Sequence, residues 1–328
     1  MDKFHDWGKR HVQFTAAKNA DQAELEAIRY GSCNLEAGIN DDRTAGAMDD
    51  YDVPDPKGVA AWAETDAQYD TATGAISEEV IRRASILGNK YPFELDGNKI
   101  VYEQSLSLAY EFCLAVSEAP SLSAGELKRL PIAFERLARD IVKCYLGPGA
   151  AAYRTGWPRD SLEPRPLRFK ALVKKLNLLT GEWHWQPSLG LPDDPSSALV
   201  RDMGLDFVVW RPMPDGRKGQ LFLLGQCACG KGWTDKYHDV DLTKLGDWVR
   251  PLSVAPPLRV FTVPFHIPND ADFWEVNERA GLTFDRTRIV LLAEKDENRD
   301  SVAHGAKDPF SELIRLVIPG FEVAARVG

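Results

Sequence analysis

Apolar residues along this chain recur at three- and four-residue intervals in some stretches and at two-residue intervals in others. This separates helices from strands before any other property is considered. The clearest helical pattern spans 123–147, where Leu127, Leu130, Phe134, Leu137, Ile141 and Tyr145 share one stripe. Ser123 and Glu126 stand ahead of it at capping-box spacing, and Gly147-Pro148-Gly149 follows as a stop. Helices are also predicted over 20–28, 78–87, 102–116, 169–179, 270–280 and 309–316. Strands are predicted over 205–211 and 220–227, which are rich in branched and aromatic residues, and over 258–265 and 282–293. The stretch 38–57 is rich in Asp, Gly and Pro and has no period, which predicts an exposed loop.

From about residue 124 the order is helix, helix, strand, strand, helix, strand, helix, strand. That order predicts an α/β fold with a mixed central β-sheet flanked by helices. A break around Pro120 divides it from a mainly helical N-terminal region, giving units 1–123 and 124–328.

The two runs around Gly216 predict a β-hairpin within 201–233, with turn chemistry over 212–219. A turn centred on Gly216 pairs Val208 with Leu224, Trp210 with Phe222, and Asp206 with Gln226. Two apolar pairs therefore lead to a polar pair at the open end. A one-residue slip would destroy this arrangement.

Composition changes the picture only locally. Of 328 residues, 44% are hydrophobic and 27% charged, which is enough to bury a large core. The net charge of −9 disfavours indiscriminate binding to nucleic acid. Its distribution is uneven: residues 20–70 hold 13 acidic and 3 basic side chains, whereas 154–175 hold 7 basic and 2 acidic. No apolar run is long enough for a membrane span, and the N-terminus lacks a secretory pattern. Five scattered cysteines suit reduced thiols, so the expected location is cytoplasmic.

The candidate chemistry gathers at the hairpin. A carboxylate and a carboxamide oxygen are hard donors of the type Mg²⁺ or Mn²⁺ takes, although Asp206 and Gln226 are equally readable as a strand-end hydrogen-bonded pair. Lys231 follows Gln226 by five residues, beside glycines, where an ammonium would face phosphate charge. Glu135 sits on the flank of the 123–147 helix with Ile132, Ala138 and Val142, and is otherwise readable as solvated. Cys227 and Cys229 form a single Cys-x-Cys, short of the paired spacings of a structural zinc site. Asp285-Arg286-Thr287-Arg288 reads as an ion pair or a strand edge.

These residues resemble the PD-(D/E)xK nuclease superfamily, whose core is restriction-endonuclease-like. Phe134-Glu135-Arg136-Leu137-Ala138 is similar to its helix motif. Gly204-Leu205-Asp206-Phe207-Val208 is similar to its aspartate strand, and Gly225-Gln226-Cys227-Ala228-Cys229-Gly230-Lys231 to its third motif. The likeness runs over about 124–293, and it departs at Ala228, where the family carries lysine.

The resemblance implies metal-dependent hydrolysis of phosphodiester bonds in nucleic acid, DNA before RNA, of the kind used in bacterial antiphage defence. Glu135, Asp206 and the Gln226 oxygen would hold Mg²⁺ or Mn²⁺, with Lys231 as the displaced lysine. Arg154, Arg159, Arg168, Lys170 and Lys174 would follow the phosphate backbone. A second protomer, or a partner protein docked on the N-terminal region, is compatible with it. The alternative is a nuclease-fold protein without activity, binding nucleic acid or serving as an interaction subunit, and Ala228 favours that alternative.

Overall fold

The computed structural model describes residues 3–39, 56–156, 166, 168–196, 200 and 203–323. Most of the loop expected over 38–57 lies outside the described residues, as does Arg159. Two long helices, α1 (Lys3–Tyr30) and α2 (Pro56–Leu87), extend well beyond the short segments predicted from periodicity. Between and after them come β1 (Ser32–Asn34), β2 (Phe93–Asp96) and β3 (Lys99–Tyr102), an antiparallel sheet of order β1-β3-β2. Then follow α3 (Ala109–Glu118), α4 (Arg129–Leu146), β4 (Ala151–Arg154), α5 (Phe169–Thr180), β5 (Phe207–Arg211) and β6 (Leu221–Cys227). The chain continues through α6 (Leu242–Gly246), β7 (Leu258–Thr262), α7 (Asp270–Ala280) and β8 (Leu282–Phe284). It closes with α8 (Arg286–Ala293), α9 (Asp296–Gly305) and α10 (Phe310–Arg315).

The larger sheet has the order β4-β5-β6-β7-β8. Its first three strands are antiparallel neighbours and its last three parallel, so the α/β class and the mixed sheet expected from the element order are both present. The hairpin register is the expected one, with Val208 opposite Leu224 and Trp210 opposite Phe222. One residue along, Phe207 faces Gly225, and its ring lies across that glycine: a Cβ at 225 would come within 2.0 Å of the Phe207 ring. Gly225 is thus required by close approach rather than by backbone angle.

Period-two alternation sends the strand side chains into separate cores. Phe207, Val209, Leu223 and Val260 face a core shared with α4, α3, α8 and α10, and residues of α1 and α2 belong to it too. Val208, Trp210, Phe222 and Leu224 face a second core with α5, Trp183 and Trp248. A third, smaller cluster joins Phe261 and Val263 to Val276 of α7 and to Trp233.

Buried charge links the N-terminal helices to the rest. Arg286 donates to both oxygens of Asp21, at 2.9 and 2.8 Å. Arg83 donates to Asp21 and to Glu24, each at 2.7 Å, and Tyr91 and Tyr110 both donate to Glu24. Every one of these charges has a partner, which is what makes their burial tolerable.

Several expectations need correction. The stretch 102–116 is not one helix: Tyr102 ends β3, and α3 begins only at Ala109. The buried carboxylate of Glu111 accepts from the Ser105 backbone N–H at 2.7 Å and from its hydroxyl at 2.6 Å, which holds the intervening residues off the helix. The stretch 282–293 is not one strand: Asp285 accepts from the Arg288 N–H at 3.0 Å and caps α8 immediately after β8. The Ser123 and Glu126 capping box does not form. A 3₁₀ turn over Gly125–Lys128 intervenes, and α4 starts without a side-chain cap. Among the described residues no helix is long and apolar enough to cross a membrane.

Candidate functional site

Glu135 is presented by the first half of α4, the helix packed on β4, β5 and β6. It is 6% exposed, so it is a buried glutamate and not a solvated one. Arg154, at the end of β4, puts Nη2 at 2.6 Å from its Oε2. Two residues on, Gly156 leaves the space that this carboxylate fills; a Cβ there would lie 2.2 Å from Glu135 Oε2.

The same short segment holds Asp206. The Asp206 carbonyl accepts from the N–H groups of Thr155 and Gly156, at 2.7 and 2.8 Å. Its own N–H donates to the Gly225 carbonyl at 2.9 Å, one residue out of the hairpin register, in which Gly225 pairs with Phe207. Its side chain then bends across, and Oδ2 accepts from the Cys227 N–H at 2.7 Å. On β6, Gln226 is 4% exposed and donates from Nε2 to Asp239 Oδ2 at 2.8 Å. The paired register ends at Phe207 and Gly225, so the expected opposition of Asp206 and Gln226 is not part of the ladder; both lie at its end, each hydrogen-bonded to a different neighbour.

Glu135, Asp206 and Gln226 line one cavity of ≈ 540 Å³, together with Lys236 and Asp239. Lys231 does not line it. After β6 the chain makes one more sheet contact, Ala228 N–H to the Thr262 carbonyl at 2.9 Å, then turns through Gly230 and Gly232 into a 3₁₀ turn over Trp233–Lys236. That turn carries Lys231 to a different cavity and returns Lys236 to this one. Ala228 is fully buried in the apolar cluster of Trp233, Phe261 and Val263. Lys236 and Asp239 had no sequence signal, because the length of a 3₁₀ turn is not encoded in any period.

The basic residues predicted to follow phosphates are dispersed. Arg154 is 4% exposed and is engaged with Glu135. Arg168 pairs with Asp194, while Lys170 pairs with Asp193 and lies 6.0 Å over the Trp185 ring. Lys174 is exposed on α5, and none of these four lines the cavity.

The lining contains three carboxylates and one ammonium; with Glu135 paired to Arg154 behind it, the charges left facing the cavity are Asp206 and Asp239 against Lys236, a small negative excess that favours a cation. The donors are carboxylate and amide oxygens, the type that suits Mg²⁺ or Mn²⁺ rather than softer metals. In this arrangement they bond to the chain itself, and among the described residues no three His, Cys, Asp or Glu side chains form a group that could hold a metal ion. An ion would therefore fit by donor type, provided Glu135 or Gln226 exchanges a protein partner for it. Burial, reinforced by the charges of Asp206 and Glu135, pushes the Cys227 and Cys229 thiols far above their ordinary range. That disfavours the thiolate, the nucleophilic form, at both positions. Comparison with family models, curated proteins and solved structures finds no match to this chain.

Proposed function

We propose that the protein is a metal-dependent nuclease of PD-(D/E)xK type, hydrolysing phosphodiester bonds of nucleic acid in the Glu135–Asp206–Gln226 cavity. The observation that carries this reading is the convergence of three side chains from α4, the approach to β5, and β6 on one acidic cavity with a lysine in its wall. Mg²⁺ or Mn²⁺, held by Glu135, Asp206 and the Gln226 oxygen, would supply Lewis-acid polarisation of the scissile phosphate. Lys236, rather than Lys231, supplies the ammonium that faces the charge developing on the phosphate. Asp239 orients the Gln226 amide, and Arg154 holds Glu135 until the site is loaded. A restriction-endonuclease-like core, a cytoplasmic location, a role in antiphage defence and a homodimer belong to the same proposal.

A second reading, a nuclease fold that binds nucleic acid without cutting it, is favoured by two particular features. Ala228 is buried where the resembled family has lysine, and Arg154 occupies Glu135. Incubation of the full chain with supercoiled plasmid and with single-stranded DNA and RNA, in Mg²⁺, Mn²⁺ or EDTA, separates the two. Cutting that needs the metal supports the first reading; retained binding with no cutting supports the second.

A further inference from the structure

Adjacent residues of one loop line two different cavities: Gly230 belongs to the acidic one, and Lys231 to a second of ≈ 480 Å³. That volume lies within the roughly 300–1,000 Å³ of small-molecule sites. Phe14, Trp233 and Phe265 supply an aromatic wall, in which the Trp233 and Phe265 rings are stacked with centroids 6.2 Å apart. The polar groups behind it are satisfied within the protein. Arg83 and Asp21 pair at 2.7 Å, and His266 has Thr287 at 2.9 Å from Nδ1 and Tyr110 at 3.0 Å from Nε2. Lys18 and Lys231 are different: both are exposed, and neither enters a hydrogen bond or ion pair among the described residues. The remaining charge on the lining is Glu118, which accepts from Gln22 Nε2.

Two ammoniums that make no hydrogen bond or ion pair among the described residues, against one carboxylate in their field, favour an anion, and a flat aromatic wall favours a flat ring. We propose that this second cavity binds a nucleoside monophosphate, with its base against the Trp233–Phe265 wall and its phosphate held by Lys18 and Lys231. Glu118 then meets the polar edge of the base. Burial, with Asp21 second, pushes its carboxyl up to about 7, so it can present either a donor or an acceptor there. The site is independent of the function proposed for the acidic cavity, because none of Glu135, Asp206 and Gln226 lines it.

Isothermal titration of the full chain with AMP, GMP, CMP and UMP tests this, with the matching nucleosides and inorganic phosphate as partial ligands. At least one nucleotide should bind, more tightly than its nucleoside and than phosphate alone. Lys231→Ala and Lys18→Ala should each weaken it by about tenfold, the order expected for losing one charge-assisted hydrogen bond. Both lysines are exposed, and unchanged thermal melts would show that the variants fold. Asp206→Ala should bind nucleotide as the wild type does, which separates this site from the acidic cavity. Absence of binding by all four nucleotides at ~10 mM, or equal affinity in wild type and the Lys18→Ala/Lys231→Ala double variant, would overturn the proposal (millimolar dissociation constants mark the weak end of specific binding).

Discussion

Glu135 and Arg154 form a buried ion pair, with Nη2 2.6 Å from Oε2, at the point where the helix carrying one candidate ligand meets the edge strand of the sheet. Both side chains are nearly inaccessible, so removing one strands the other. Arg154→Met should destabilise the fold by about 3–5 kcal/mol, and Glu135→Gln/Arg154→Met should recover much of that loss. Urea denaturation of the two single variants and the double variant measures the coupling. An Arg154→Met protein as stable as wild type would show that the pair is not formed.

Gly156 makes a sharper test, because it packs against the Glu135 carboxylate without carrying a functional group. A methyl at 156 meets the Glu135 carboxylate, so Gly156→Ala should cost roughly 1–3 kcal/mol of stability and displace Glu135. Gly225→Ala should cost a similar amount by clashing with the Phe207 ring, on the hairpin itself. Thermal melts of both variants check the cost; a neutral Gly225→Ala would contradict the close approach described here.

Lys236 is assigned by its place in the acidic cavity. Lys236→Ala should lower kcat by on the order of 10²-fold with a smaller change in KM, as when a single charge-stabilising group is lost. Lys236→Arg should recover part of it. Placing a lysine where the resembled family carries one, by Ala228→Lys, should not help, since that side chain would enter the apolar cluster of Trp233 and Phe261 and destabilise the fold. A faster, stable Ala228→Lys enzyme would refute this placement.

How far the sequence reveals these relationships depends on the range of the interaction. The hairpin register followed from a two-residue period and one turn, and the helix expected over 270–280 is α7. The β2–β3 hairpin has a turn signal in Asp96-Gly97-Asn98, but an apolar period that runs from the next helix back through Tyr102 masks it. β4 is four residues long and pairs only with β5, too short to show a period. The Glu135–Arg154 and Gln226–Asp239 contacts join residues that no local pattern relates. Lys231 was the natural choice by spacing, and it was displaced by a turn between two glycines.

Glu118 sets a pH dependence. Its pKa is raised by burial and by Asp21, against the opposing charges of Arg286, Lys18 and Lys231, from an ordinary 4.5 to about 7. The folded state therefore favours the protonated carboxyl, and that contribution to stability is complete below about 4.5 and lost as pH rises through about 7. Glu118→Gln keeps a neutral side chain with an oxygen for Gln22. Its melting temperature should gain on wild type steadily between those limits and run parallel above them. A difference that does not change with pH would contradict a raised pKa at this position.

The central claim concerns the acidic cavity, in which Asp206 is fixed through Cys227 on one side and Thr155 and Gly156 on the other. The most direct measurement is the rate of Mg²⁺- or Mn²⁺-dependent cleavage by Asp206→Asn and Asp206→Ala, beside wild type, on the substrate that wild type cuts. Loss of cleavage in both variants, with nucleic-acid binding retained, is the predicted result. Metal-dependent cleavage that survives in Asp206→Ala at the wild-type rate would place the chemistry elsewhere in the chain.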